Sequence, residues 1–414
     1  MKTAAVASVL ALLASSALAT SALTTSAWAA PKPLSDAQLS QIVAGTNFIV
    51  MGEISDTTTQ GANPPDPLLV NSWGLAEAPA GGPLWVADNG SGMSTLYNFN
   101  TFAKIPLNVT IPGAGGATGA PTGTVFTSLN GTDFNVSGGG KTGHSLFLFD
   151  TENGTIAGWS PGVALGTAFT AVDQSMSGAA FKGLAISPDV GGGSGPGRGH
   201  GMGDQQGQNM GMGKTPGVTP TAQTLYAADF TQGKVEMFNG QFQQMGSFTD
   251  PSLPAGYSPF NVQVLNGKLY VTFALSSGGL DEVHGAGLGF VDVFTLSGQK
   301  LATLVSQGPL NAPWGLSIAP KSFGKLAGAL LVGNFGDGTI NAFDPNTGKF
   351  LGPVTSPGGA PVTIDGLWAL RNGPDGSVIF SSGPDDENHG LVGVVLPANA
   401  RASWAFQAHV MRGH

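Results

Sequence analysis

The chain repeats itself six times, and that self-similarity leaves few folds open to it. Each copy opens on a short apolar run after Pro or Gly, most often carrying Gly-Leu. A strand of the type Leu-x-Val-Ala-Asp follows, then a turn with Gly, then an alternating strand ending near Phe or Trp. The openings are NSWGLAEAP (71–79), APTGTVFTS (120–128), AAFKGLAIS (179–187), SPFNVQVLN (258–266), APWGLSIAP (312–320) and IDGLWALRN (364–372). Asn153-Gly154, Gln232-Gly233 and Asp337-Gly338 supply the positive φ that tight hairpins demand.

Six units, each with room for four short strands, predict an all-β chain folded as a six-bladed β-propeller. A parallel β-solenoid would repeat at a much shorter period. Nothing reads as a long amphipathic helix. The sixth unit stops after LVGVVLP, one strand short. The early segment NFIVMGEIS (47–55) is expected to pair there, so that an N-terminal strand closes the ring and removes two open edges.

The first 29 residues join Lys2 to a long Ala/Leu/Val/Ser run ending in Ala27-Trp28-Ala29, the pattern of a cleavable secretory signal. The expected layout is a signal at 1–29, a linker at 30–45, one propeller at 46–398 and a tail at 399–414. The expected location is secreted or periplasmic, with no membrane span after signal removal, and the expected state is a monomer. There are no cysteines among the 414 residues, which excludes disulfides, thiolate nucleophiles and Cys-held metals. Charged residues make up 10%, against an ordinary ~25%, as suits a chain of strands and tight turns. The net charge of −9, with no basic cluster, excludes nucleic acid as partner.

The stretches PLLVNSWGLA, PLWVADNGSG, PAGYSPFNVQ, GPLNAPWGLSIAP, LLVGNFGDGTINAFDP and IDGLWAL resemble a family of exported bacterial propeller proteins. More loosely they are similar to NHL-type six-bladed propellers. The resemblance runs from about residue 47 to 396 and implies the fold and an export route rather than an activity. Some members end in a PEP-type sorting signal; this chain ends SWAFQAHVMRGH and lacks it.

In a propeller the inner strand of each blade starts at the top of a central channel, so residues at its start ring the channel mouth. Those positions are assigned to Trp73, Thr122, Lys182, Phe260, Trp314 and Asp365, with the amides Asn71, Asn261 and Asn311 beside them. Lys182 and Asp365 fall in opposite blades and are expected either to orient a ligand in an aromatic-lined pocket or to plug the channel. Two expanded turns share this face. Asp281, Glu282 and His284 lie in LDEVHGAG; Asp385, Asp386, Glu387 and His389 lie in GPDDENHG. Carboxylates beside imidazole can ligate a divalent cation such as calcium or exchange protons, although Asp and Asn are also ordinary turn residues. The acids recurring after second strands, Asp88, Asp150 and Asp229, are read as structural.

Tempting motifs fail. Gly-Lys-Thr at 140–142 and 213–215 lacks the earlier Gly of a phosphate loop, whose place is taken by Asn135 and Gln208. Neither a Gly-x-Ser-x-Gly elbow nor a His-Glu-x-x-His helix is present. The Gly-rich segment at 189–222, with His200, Met202, Met210 and Met212, is an insertion in blade three that offers soft ligands for copper or is simply spare chain. The leading expectation is a binding or interaction module for a small molecule, glycan or protein at the top face. A calcium-dependent lactonase or hydrolase is the alternative, and copper binding by the inserted loop a further one.

Overall fold

The computed structural model describes residues 47–78, 82–129, 131–188 and 223–400. The expected signal and linker, the insertion at 189–222 and all but the first two residues of the tail lie outside them.

Strand β1 (Phe48–Ser55) precedes the repeats. Blade one is β2 (Ser72–Glu77), β3 (Leu84–Asp88), β4 (Met93–Tyr97) and β5 (Lys104–Thr110). Blade two is β6 (Pro121–Phe126), an extra hairpin β7 (Asn135–Gly138) and β8 (Lys141–His144), then β9 (Phe147–Thr151), β10 (Thr155–Trp159) and β11 (Phe169–Asp173). Blade three comprises β12 (Phe181–Ile186), β13 (Leu225–Asp229), β14 (Lys234–Phe238) and β15 (Gln244–Phe248). In blade four, β16 (Tyr257–Leu265) and β17 (Lys268–Ser276) lead to the short β18 (Glu282–Val283), then β19 (Phe290–Phe294) and β20 (Lys300–Ser306). Blade five runs β21 (Pro313–Ile318), β22 (Leu330–Asn334), β23 (Ile340–Phe343) and β24 (Phe350–Pro353). Blade six has β25 (Leu367–Asn372), β26 (Val378–Ser382) and β27 (Leu391–Pro397).

Each blade is an antiparallel sheet, and the inner strands β2, β6, β12, β16, β21 and β25 touch in sequence around a closed ring. The fourth strand of blade six is β1, paired from Phe48 with Pro397 to Ser55 with Leu391. The ring is thus closed by an N-terminal strand. Helices among the described residues are short 3-10 turns such as Lys321–Leu326.

Burial follows position within the blade. The second strands LWVAD, LYAAD and LLVGN are buried at every residue, because blades pack on both of their faces. The outer strands alternate or are largely exposed, as in QMGSF of β15. This difference explains why sequence repetition is sharp in the inner half of each unit and weak in the outer half.

All six inner strands slip register at the same place, near their top. The bulge turns one side chain toward the channel axis. The Gly that follows it in four blades has no room for a side chain. A Cβ on Gly74 would meet the Thr122 carbonyl at 2.6 Å, and one on Gly123 would meet the Leu184 backbone at 2.3 Å. Close approach of adjacent inner strands is therefore the physical basis of the repeated Gly.

Candidate functional site at the top of the channel

The six bulged positions are Trp73, Thr122, Lys182, Phe260, Trp314 and Trp368. Five match the assignment from sequence. In blade six the position belongs to Trp368, three residues beyond Asp365, because β25 begins only at Leu367. Asp365 instead stands exposed on the rim, where its Oδ2 accepts the Asp385 backbone N–H at 3.0 Å. It makes no ion pair with Lys182.

The aromatic members fill the channel. Trp73 stacks on Trp368 at 3.5 Å, and Trp368 stacks on Phe335 at 3.9 Å. Trp314 meets both Trp73 and Trp368 edge-on, at 6.1 and 5.8 Å. Phe260 packs against Trp368 and Phe230. Trp73, Phe260 and Trp314 are all buried, so they form a plug rather than an open aromatic wall. Trp314 Nε1 donates to the Lys182 carbonyl at 2.8 Å and Trp368 Nε1 to Asn71 Oδ1 at 3.0 Å. Trp73 Nε1 is buried without an acceptor. Asn261 is consumed within the frame: its Nδ2 donates to the Trp314 carbonyl and its Oδ1 accepts from Val262 N–H, both at 2.8 Å.

A polar ring lies on this plug. Lys182, only 3% exposed, pairs with Glu152 Oε1 at 2.9 Å and lies 3.8 Å from Glu282 Oε2. Its Nζ stands 5.2, 5.5 and 5.7 Å from the ring centres of Trp73, Phe230 and Phe260, within cation–π range. Glu152 Oε2 accepts from Asn89 Nδ2 at 2.9 Å. Asn71 Nδ2 reaches Asn89 Oδ1 at 3.3 Å and Glu387 Oε2 at 2.9 Å. On the other side Glu282 Oε1 lies 3.1 Å from His284 Nε2, and His284 sits edge-on to Phe335. Every blade but the fifth contributes a polar group to the circuit, the fifth lending the Phe335 ring, and the three glutamates come from the alternate blades two, four and six.

The charges interact strongly. Burial works against the Lys182 ammonium, but the carboxylates of Glu152, Glu282 and Glu387 outweigh it and hold its pKa above the ordinary value. Burial, then the negative charges of Glu282 and Glu152, push Glu387 up to about 7. The hydrogen bond to Glu282 raises His284.

The two expanded turns each send one carboxylate inward, Glu282 and Glu387. Their other acids, Asp281, Asp385 and Asp386, are exposed. Asp385, Asp386 and Glu387 are three consecutive non-glycine residues with positive φ, 58°, 50° and 65°. Such a left-handed turn is costly and persists only where contacts enforce it. Here Asp365 holds its first residue, and Asp56 holds its end through His389 Nδ1 at 2.7 Å and Gly390 N–H at 3.1 Å. Asn311 pins the blade-four turn by accepting Gly285 N–H at 2.7 Å. Among the described residues, no group of three or more His, Asp or Glu is arranged to hold a metal ion. The recurring acids are tied into the frame: Thr122 Oγ1 and Gly123 N–H donate to Asp150 Oδ1, and burial pushes Asp150 up to about 6.

Glu152, Asn89, Phe230 and Phe335 were not singled out from sequence. They occupy matching places, just after the residue that ends each second strand: Asp88-Asn89, Thr151-Glu152, Asp229-Phe230 and Asn334-Phe335. Aligning the units at that turn is the signal that finds them.

Two proteins of Acanthamoeba polyphaga mimivirus are similar to this chain over most of its length. "Uncharacterized protein R648" is 32% identical over 356 residues, covering 83% of this chain and 78% of the viral protein. The chain belongs to the family of R648. "Uncharacterized protein L690" is 30% identical, covering 80% of this chain and 81% of its own. These relatives do not support the exported bacterial, NHL-like family suggested by the repeat motifs; the six-bladed fold itself stands. No protein-family model matches the chain. Among solved structures, the soluble aldose sugar dehydrogenase of Escherichia coli has a TM-score of 0.46 at 14% identity, covering 85% of this chain and 100% of that one. The WD40 propeller domain of Doa1 has a TM-score of 0.39 at 10% identity, covering 78% of this chain and 93% of that one.

Proposed function

We propose that this protein is a binding module that takes a small organic cation at the top face of its propeller. The observation that carries the reading is the Lys182 ammonium, held in its charged form by glutamates from three other blades over an aromatic floor. A site of this composition favours positive charge, and Lys182 offsets only part of its acid. The turns above add exposed Asp281, Asp337, Asp365, Asp385 and Asp386. Of the exposed lysines, Lys141, Lys321 and Lys325 lie between the first and second strands of their blades and Lys268 opens the second strand of blade four, at the end of the blade that the topology places on the opposite face. A rim carrying mainly one sign of charge concentrates counter-charged ligands and speeds their arrival. The contact groups are the partly exposed Glu152, Asn89, Phe335, Glu387 and His284, while Trp73, Phe260 and Trp314 support them from below. Residues 1–29, read as a secretory signal, would put this binding outside the cytoplasm.

Calorimetric titration of the purified protein with choline, spermidine, glucose, acetate and calcium chloride tests the reading. Binding of the organic cations, weakened by salt and by Glu152→Gln, is expected. Equal binding of glucose or acetate, or no binding of choline and spermidine, overturns it. Stoichiometric calcium binding in place of the organic cations would return the site to the hydrolase alternative.

A further inference from the structure

Away from the channel, a second cluster of charges sits where blade three meets blade four. Asp250 lies in the connection between β15 and β16, with its side chain 1% exposed. Its Oδ1 accepts Ser252 N–H at 2.9 Å and Ser252 Oγ–H at 2.7 Å. Its Oδ2 is in direct contact with Lys300 Nζ, which also reaches Ser252 Oγ at 3.0 Å. Asp292, in β19, is fully buried and lies 3.8 Å from the same ammonium. Neither Asp292 oxygen accepts a hydrogen bond of good geometry. The rings of Phe248 and Phe294 meet beside the cluster at 4.8 Å, and Gly298 packs on Phe248. The connection after blade three is thus fastened to the base of blade four by one ammonium between two carboxyl groups.

One ammonium balances one carboxylate. The buried cluster is neutral only when the second carboxyl keeps its proton, and a buried excess charge is costly. We propose that Asp250, Lys300 and Asp292 form a proton-dependent latch, which fastens blade three to blade four while Asp292 is protonated and loosens that seam when it ionises. The charged groups bearing on Asp292 are Asp250, from the inter-blade connection, and Lys300, from β20; on its other side β17 presents Val271 in register. Burial, then the Asp250 carboxyl, push Asp292 up to about 7, against the opposing pull of Thr303 and Lys300. Lys300 and Ser252 keep Asp250 well below the ordinary range even though burial opposes them. The proton therefore resides on Asp292. The sign follows: the latch is complete in mild acid and is lost as pH rises through neutrality.

Hydrogen exchange at about pH 6 and about pH 8, corrected for the intrinsic pH dependence of exchange, tests the latch in the whole protein. Segments 244–253 and 290–306 are expected to lose about tenfold in protection at the higher pH, while β22 does not change. Asp292→Asn keeps the neutral form and is expected to show the same protection at both values. Wild-type protection independent of pH, or an equal loss in Asp292→Asn, overturns the proposal. Should that variant fail to fold, the carboxyl carbon shift of Asp292 in the wild-type protein decides by NMR: a midpoint near 7 supports the latch, and one in the ordinary carboxylate range overturns it. These readouts involve no cation ligand and stand apart from the top-face reading.

Discussion

Lys182 of blade three and Glu152 of blade two meet at 2.9 Å above a floor of Trp73, Phe230 and Phe260. The pair joins neighbouring blades at the channel axis, where the inner strands converge, so its chemistry bears on stability as well as on the proposed binding.

Lys182→Ala removes the ammonium and leaves carboxylates facing each other in a largely dry place. Breaking a buried pair in this way costs about 3–5 kcal/mol, with the partial exposure of Glu152 favouring the lower figure. The seat left behind still suits an ammonium. Methylamine is therefore expected to raise the melting temperature of the variant more than that of the wild type, through binding to the native state alone. Equal shifts in both proteins would count against an ammonium seat.

Glu387 gives a pH dependence of defined sign. Its pKa in the folded protein, about 7, stands above the 4.5 ordinary for a glutamate, so between those values the folded state holds the proton more tightly than the unfolded chain. Its contribution to stability is full in acid, declines as pH rises through that window and is gone above 7. Glu387→Gln keeps an acceptor for Asn71 and cannot ionise. The variant is expected to exceed the wild type by about 1–3 kcal/mol at pH 8 and to lose that advantage near pH 5, measured by urea unfolding. A gain that persists in acid would mean that packing, not ionisation, had changed.

The stacked tryptophans differ in one hydrogen bond. Trp368 Nε1 serves Asn71, whereas Trp73 Nε1 serves no acceptor. Both changes to Phe remove similar ring area, but Trp368→Phe also leaves the Asn71 oxygen without its donor. It is expected to cost about 1–3 kcal/mol more than Trp73→Phe, since the penalty falls on the group left unpaired. Equal costs in denaturant melts would show that the Asn71 bond adds nothing.

Closure by β1 is tested by its removal. Deleting residues 47–55 takes buried Phe48 and Ile54 from the core and leaves β27 as an open edge. Open edges recruit other chains, so size-exclusion chromatography is expected to show oligomers or aggregate in place of the wild-type species. A deletion variant that elutes and melts like the wild type would refute closure as a structural need.

Much of the fold was legible in the chain because each blade solves the same packing problem. Second strands buried on both faces read as continuous apolar runs, and the crowded bulge at the channel repeats its Gly. The missing strand of blade six and the identity of β1 followed by counting. The extra hairpin of blade two did not, since KTGH and NVSG carry little burial to pattern them.

The site was legible only in part. Lys182, Glu282 and Glu387 could be named because charges are rare in this chain and stand out near strand starts and expanded turns. Asp365 was misplaced because register in a strand is fixed by pairing, and Leu367 with Ser382 sets where blade six truly begins. The sequence by itself determined the blades and their number, through a local burial pattern repeated six times. Tertiary structure alone decided which carboxylates face Lys182. Glu152 and Glu387 lie more than two hundred residues apart in the chain, and only ring closure, which no local pattern encodes, brings them to one ammonium.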